Sequence, residues 1–338
     1  MSNQQMTRAT ARAGANIALI KYWGKRGPAK LNLPATGSVS LTLKDLETIT
    51  VVEPDASLTR DIFSLNGDGL DDAGVLGLVD QMRQTSPVSA PFCRIASINH
   101  FPTAAGLASS ASGFAALVVA VNAALNLAAP FNQLAQWARM GSGSAARSLV
   151  GGFCRMHRGA RTHDHHDDND RHGDDAIPVQ LLDETAWPLE VVVAITQAKA
   201  KDVPSRVGMN HTMATSPYYT AWVEHNENAL IEAEKAILSQ DFDRLADLSE
   251  ASAMQMHACA LAAEPAVMYW NGTSVECLHA IRRMRGEGHG VFFTMDAGPQ
   301  VKAICLPGQG EAVAAALGQI PGVESVMTSS LGPGAGTV

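Results

Sequence analysis

The chain has 338 residues, 46% hydrophobic and 17% charged, with a formal net charge of −8. That length allows a large core and two domains, and the acidic balance argues against nucleic-acid binding without excluding an anionic small molecule held by local basic residues. Five scattered cysteines lack metal-site spacing, residues 1–14 lack an apolar signal core, and the longest apolar run, 114–127, is too short and polar (Asn122, Asn126) to span a bilayer. The expectation is therefore a cytoplasmic protein with reduced thiols and no membrane partner.

The first strand-like run, 16–20, is followed at once by Lys21-Tyr22-Trp23-Gly24-Lys25-Arg26. Three cations and two aromatics beside a Gly turn suit an anion, although a solvated basic turn with Trp23 packed inward has the same composition. Alternation over 39–43 and β-branched residues over 49–52 predict two strands, and 63–65 a third, ending in the Asn66-Gly67 turn. Helical spacing follows over 75–83, then a strand over 93–101.

Residues 102–112, PTAAGLASSAS, form a small-residue turn that feeds a helix through the apolar run 113–127. Such a turn can point backbone N–H groups at one spot, where the positive end of the helix dipole adds to them. Ser109, Ser110 and Ser112 stand where hydroxyls cap a helix or touch an anion or its metal. The stretch reads equally as a phosphate-binding loop or as a capped helix after a Gly turn; it lacks the common P-loop pattern.

A short amphipathic helix over 133–139 leads to a second hydroxyl-rich turn, 141–148, in which Arg147 offers a guanidinium among Ser142, Ser144 and Ser148. The tract 157–175 holds five histidines and six aspartates. With almost no apolar residues to fix ligand geometry, it reads as a solvated loop rather than a metal site, and it marks a domain boundary. A strand over 189–195 precedes a Ser/Arg-bearing loop over 199–209. Long helices are predicted over 217–240, with Ser216 as N-cap, over 242–260 and over 274–287. The strand 290–295 delivers Asp296 to a Gly-Pro turn. A rigid strand end can aim a catalytic carboxylate, and a turn-forming or capping Asp stands in the same place. A strand over 303–306, a helix over 309–317 stopped by Gly318 and a strand over 324–328 complete the pattern.

Five stretches taken together resemble the mevalonate diphosphate decarboxylase family of the GHMP kinase superfamily: 16–25 (NIALIKYWGK), 101–112 (FPTAAGLASSAS), 141–148 (GSGSAARS), 201–209 (KDVPSRVGM) and 292–299 (FFTMDAGP). They occur in the family's order over nearly the whole chain. The resemblance implies a two-domain, GHMP kinase-like α+β fold, with an N-terminal GHMP kinase-like domain over 1–186 that carries the ATP phosphate-binding loop, a C-terminal α+β domain over 187–338 that carries the catalytic Asp, and the active site in the cleft between them. It also implies ATP-dependent decarboxylation of mevalonate 5-diphosphate with Mg²⁺, in a homodimer. Asp296 would be the catalytic carboxylate, Lys21 its cationic neighbour, and Arg147 the holder of the substrate carboxylate. Tyr22, Trp23, Gly24, Lys25, Ser142, Gly143, Ser144, Ala145, Ala146, Ser205 and Arg206 would line the substrate site. Ala105, Gly106, Leu107, Ala108, Ser109, Ser110 and Ser112 would cradle ATP, with Ser109 or Ser110 reaching Mg²⁺.

The chain departs from the family pattern in three places. Thr36-Gly37-Ser38 replaces an Asn-Ser-Ser-like run, no cation follows the turn at Gly67, and the His/Asp tract is longer than the usual connection. Fewer cations would suit a monophosphate, so a mevalonate 5-phosphate decarboxylase is the alternative enzyme. A silent paralogue acting as a binding module is the non-enzyme alternative, but it should have lost Lys21, Arg147, Asp296 or the Ser109/Ser110 pair, and all are present.

Overall fold

The computed structural model describes residues 6–101, 109–159, 176–197, 199 and 201–338. Its first strand, β1 (Ala9–Ile20), is longer than the apolar run 16–20, because it pairs along most of its length with β4 (Ser38–Pro54). Between them lies a two-stranded ribbon, β2 (Lys25–Arg26) and β3 (Leu33–Pro34). The strands expected over 39–43 and 49–52 are one 17-residue strand. Polar residues at 44, 45 and 47 broke the alternation in sequence; in the fold they meet a register break opposite Gly14 and Asn16, and Lys44 and Asp45 face solvent.

The hairpin β5 (Ile62–Leu65) and β6 (Asp68–Leu70) leads to α1 (Ala73–Gln84), which Asp72 caps by accepting from the Gly74 and Val75 amides. Next come β7 (Cys93–Asn99), α2 (Ser109–Ala124) and α3 (Phe131–Gly141), then a 3-10 turn over Ala145–Leu149. An antiparallel pair, β8 (Phe153–Met156) and β9 (Pro178–Leu182), flanks the His/Asp tract, of which residues 160–175 lie outside the described residues.

β10 (Glu190–Ile195) opens a second sheet. The stretch expected to be loop through residue 209 turns helical at 205: α4 (Ser205–Thr215) starts after Pro204 and buries Gly208, Met209 and Thr212. Ser216 ends α4 rather than starting the next helix, its N–H donating to the Thr212 carbonyl. The long helices are α5 (Tyr219–Leu238), α6 (Phe242–Leu261) and α7 (Gly272–Gly286), the last with an Asn271/Ser274 capping box. Then follow β11 (Val291–Met295), β12 (Val301–Cys305), α8 (Gly310–Gly318), β13 (Ser325–Ser330) and β14 (Gly336–Thr337). Gly318 is the last residue of α8 rather than the stop after it.

Strand β4 is the spine of the larger sheet, which runs β14-β1-β4-β7-β5-β6 with β8 and β9 beside it. One edge of β4 pairs with β1; the other pairs with β8 over 38–41 and with β7 over 48–54. The second sheet runs β11-β12-β10-β13, entirely antiparallel. This is the expected α+β architecture of two sheets, each with its own helices. Alanine-rich α2, with α1 and α3, covers one face of the larger sheet. A separate cluster joins the two sheets: Ile17, Leu19, Leu41 and Phe153 pack with Val191, Val193, Phe292 and Ile304 beneath α5 and α6.

Candidate functional site

β1 sends alternate side chains in opposite directions. Ile17 and Leu19 enter the shared core, while Asn16 and Ala18 border a cavity of about 510 Å³. Residues from 16–147 and residues from 201–297 both line this cavity.

Lys21 follows β1, and Asp296 follows β11. Lys21, 1% exposed, donates from Nζ to the Ala18 carbonyl and to Asp296 Oδ1, both at 2.8 Å. Its backbone N–H is held by Ser252 on α6. The other oxygen of Asp296 lies 3.3 Å from Nζ of Lys302, which rises from β12 and is fully buried. A tight turn, Gly298 N–H to the Asp296 carbonyl, fixes the backbone. Burial alone would raise the Asp296 pKa, but Lys21 and then Lys302 outweigh it and hold the carboxyl well below the usual carboxylate range.

Arg147 sits on the 3-10 turn after α3, 4% exposed. Nε donates to Asn16 Oδ1 at 3.0 Å and Nη1 to Ser38 Oγ at 2.8 Å, and the guanidinium lies 5.8 Å from the Tyr22 ring centre. Asn16 in turn donates to the Ser144 carbonyl and the Ser148 hydroxyl. Nη2 has no partner among the described residues, and Arg147 borders the cavity. Gly143 stands where a Cβ would come within 2.3 Å of the Tyr22 hydroxyl, so the second turn can close on that ring only without a side chain.

Of the other residues expected at the site, Tyr22, Trp23, Lys25, Ser142, Gly143, Ser144, Ser205 and Arg206 all border the cavity. So do Ser109 and Ser110, at the N-terminus of α2; Ser110 Oγ is 3.2 Å from Ser142 Oγ. Three do not. Ala145 and Ala146 are buried behind the wall in the α2/α3 core, and Ser112 is fully buried, its hydroxyl donating to the Ser109 carbonyl and 2.7 Å from Thr48 Oγ1. Their small or capped side chains let the helix and turn pack; Ser112 points into the sheet one helical step away from the cavity. Gly24, at φ 101°, packs against Tyr219 rather than facing the cavity. Ala105, Gly106, Leu107 and Ala108 lie outside the described residues.

Sequence reasoning missed Asn16, Lys201 and Lys302 as site residues. Lys201 borders the cavity and donates to the Ser205 hydroxyl and the Ala297 carbonyl, both at 2.6 Å. The cavity wall thus carries Lys21, Lys25, Arg147, Lys201 and Arg206 against one carboxylate, Asp296. A site so charged suits a polyanion, and it offsets the cation missing after Gly67. Burial lowers Lys21, Lys25 and Lys201 each to about 8; Asp296 partly offsets this at Lys21, Arg206 adds to it at Lys25, and Lys302 adds to it at Lys201.

The free protein binds fewer protons at these lysines than the unfolded chain between about pH 8 and 10.5, so stability from them rises with pH in that window. A bound polyanion reverses the preference by stabilising the ammonium forms. Binding of a phosphorylated ligand at pH 8.5–9 is therefore expected to take up protons, and affinity to fall as pH climbs above 8. Calorimetric titration in two buffers of different ionisation enthalpy measures this uptake; equal heats in both would contradict it.

Ser109 and Ser110 hydroxyls are hard oxygen donors, and the described residues contain no cluster of three His, Cys, Asp or Glu side chains. That donor set fits Mg²⁺ held largely by nucleotide phosphates, and does not fit a protein cage.

Known proteins resemble this chain over nearly its whole length. A family model described as a diphosphomevalonate decarboxylase-like N-terminal domain matches residues 13–167, and one described as a mevalonate 5-diphosphate decarboxylase C-terminal domain matches residues 191–331. The diphosphomevalonate decarboxylase of Candida albicans is 33% identical over 97% of this chain and 97% of its own length. The structure of mevalonate diphosphate decarboxylase from Staphylococcus aureus superposes with a TM-score of 0.89 at 33% identity, covering 99% of both chains. A structure of MDDEF in complex with MVAPP, AMPPCP and magnesium gives 0.87 at 36% identity, also covering 99% of both.

Proposed function

The chain belongs to the diphosphomevalonate decarboxylase family, and from that premise we infer how its residues divide the ATP-dependent decarboxylation of mevalonate 5-diphosphate. The substrate's tertiary 3-hydroxyl attacks the γ-phosphorus of ATP and ADP departs. The C3–O bond then breaks, phosphate leaves, and the C1–C2 electrons form the new C2=C3 bond as carbon dioxide is released. Isopentenyl diphosphate, ADP, phosphate and carbon dioxide balance the equation.

The observation that carries the reading is the pairing of one ionised carboxylate with a guanidinium across a polycationic cavity. Asp296 orients the 3-hydroxyl and accepts its proton as the O–P bond forms. Lys21 fixes Asp296 and faces the negative charge that develops on the transferred group. Arg147, its Nε and Nη1 tied to Asn16 and Ser38, holds the C1 carboxylate until it leaves as neutral carbon dioxide. Tyr22, Lys25, Ser142, Ser144, Ser205, Arg206 and Lys201 bind the 5-diphosphate and position the chain. Ser109 and Ser110 receive the ATP phosphates at the helix N-terminus. Ser109 or Ser110, with the nucleotide phosphates, would hold Mg²⁺, and the ion would supply charge neutralisation there.

The proposed division into 1–186 and 187–338 is supported by the change of sheet between β9 and β10, with β14 returning to the first sheet. A homodimer belongs to the proposal on the family resemblance alone. No helix among the described residues is long and apolar enough to cross a membrane.

The purified protein with ATP and Mg²⁺ is expected to release one carbon dioxide and one phosphate per ADP from mevalonate 5-diphosphate. Its kcat/KM should exceed that for mevalonate 5-phosphate by more than about tenfold. Equal or better use of the monophosphate would overturn the diphosphate assignment, and binding without turnover would point to a silent paralogue.

A further inference from the structure

Lys302 is a fully buried ammonium in the middle of a strand whose neighbours Val301, Ala303, Ile304 and Cys305 are buried and apolar. Moving a lysine out of water into such surroundings is costly unless an anion meets it. Packing alone would favour an aliphatic residue there. Its Nζ instead lies 3.3 Å from Asp296 Oδ2, on the far side of the carboxylate from Lys21. Lys302 does not border the cavity, whereas Lys21 does.

The two lysines therefore stand in different relations to one carboxylate. Lys21 is shared: it bonds Asp296 and the Ala18 carbonyl, and it faces incoming phosphates. Lys302 is withdrawn from the cavity. Other charged or titratable groups face this cluster from every side: Arg147 from the 3-10 turn, Lys201 from the loop before α4 and His257 from α6. His257 is neutral at physiological pH, since burial and the cations drive it down to about 3. None of the three bonds Asp296. Resting on the catalytic role given above to Asp296, we propose that Lys302 is a positioning residue: it anchors Oδ2 and keeps Asp296 anionic and aimed while Lys21 turns to the phosphorylated substrate.

The test is Lys302→Met, close in volume and uncharged. The readout is the pH titration of the ¹³C-labelled Asp296 carboxyl by NMR, its signal identified by its loss in Asp296→Asn. Removing one of two flanking cations from a buried carboxylate raises its pKa, so the signal is expected to titrate about 1–3 pH units higher than in the unaltered protein. The acid limb of the kcat profile should move upward with it. At pH 8 kcat should stay within about fivefold, and the loss relative to the unaltered protein should widen as the pH is lowered towards about 4, with KM for both substrates changed by less than about threefold. Lys302→Gln, uncharged but polar, is expected to shift the titration in the same direction and serves if the methionine variant folds poorly. An Asp296 signal that titrates at the same pH in the variant as in the unaltered protein overturns the proposal. So does a kcat loss that is equal at all pH values. The NMR titration needs no turnover; failure of the decarboxylase reading would show separately, as no carbon dioxide from the unaltered enzyme.

Discussion

Asp296→Asn is expected to lower turnover by about 10³-fold or more while leaving the affinities for ATP and mevalonate 5-diphosphate within about fivefold. The amide keeps the shape of the carboxylate and can still accept from Lys21, so the cavity is preserved. It cannot take the hydroxyl proton, and it brings no negative charge to align the tertiary oxygen. A second consequence follows from burial. Lys302 is fully buried and Lys21 is 1% exposed, and the substitution strips both of their anion. Stability should fall by about 2–3 kcal/mol, less than the ~3–5 kcal/mol for breaking a fully buried pair, because a quarter of the Asp296 side chain is accessible and Lys21 can shed its proton. Isotope-release assays and thermal denaturation measure the two effects. Near-normal turnover would remove Asp296 from the chemistry.

Arg147→Lys is expected to raise KM for mevalonate 5-diphosphate by about 10–100-fold and to lower kcat, with KM for ATP little changed. The reason is geometric. The guanidinium spends Nε on Asn16 and Nη1 on Ser38 and still has Nη2 for a carboxylate. A lysine ammonium is a single point that cannot keep both anchors and reach the substrate as well. The defect should fall on the part of the substrate that leaves, so a ligand lacking C1 should bind both proteins alike. Unchanged KM and kcat in the variant would show that the substrate carboxylate is held elsewhere.

The legible part of this protein lay in short, chemically dense stretches. Lys21, Arg147 and Asp296 each stand beside a Gly or Ser turn, but each turn alone reads equally well as ordinary structure, and only the five stretches taken together give the three residues their roles. The strand that delivers Asp296 and the helix through the apolar run 113–127 could be placed from their apolar residues, although α2 begins four residues before that run, at Ser109. Residues that act through tertiary pairing were opaque. Lys302 lies just ahead of the strand expected over 303–306, and nothing marks it until β11 and β12 are laid side by side with Thr294 opposite it. Asn16 looks like the edge of an apolar run, and only the fold brings Arg147 to it across 131 positions. Lys201 sat inside a recognised motif, but nothing local distinguished it from Lys199. The fold errors share a cause: β4 appeared as two strands because Lys44, Asp45 and Glu47 interrupt its alternation, and α4 appeared as loop because its helicity depends on buried contacts at Gly208, Met209 and Thr212 rather than on propensity.

The apolar cluster joining the two sheets bears on attempts to build chimeras from relatives. Ile17, Leu19, Leu41 and Phe153 belong to one half, and Val191, Val193, Phe292 and Ile304 to the other, yet they form one interior. A half taken from a homologue at about a third identity would meet a surface shaped for different side chains, and interiors tolerate volume mismatch poorly. Lys21 and Asp296 ride on the strands that carry this interior, so a mismatch there would part them before it touched any ligand contact. Recombination would succeed only if the joining residues travelled as a set, which makes the buried seam, rather than the cavity lining, the unit of inheritance for this activity.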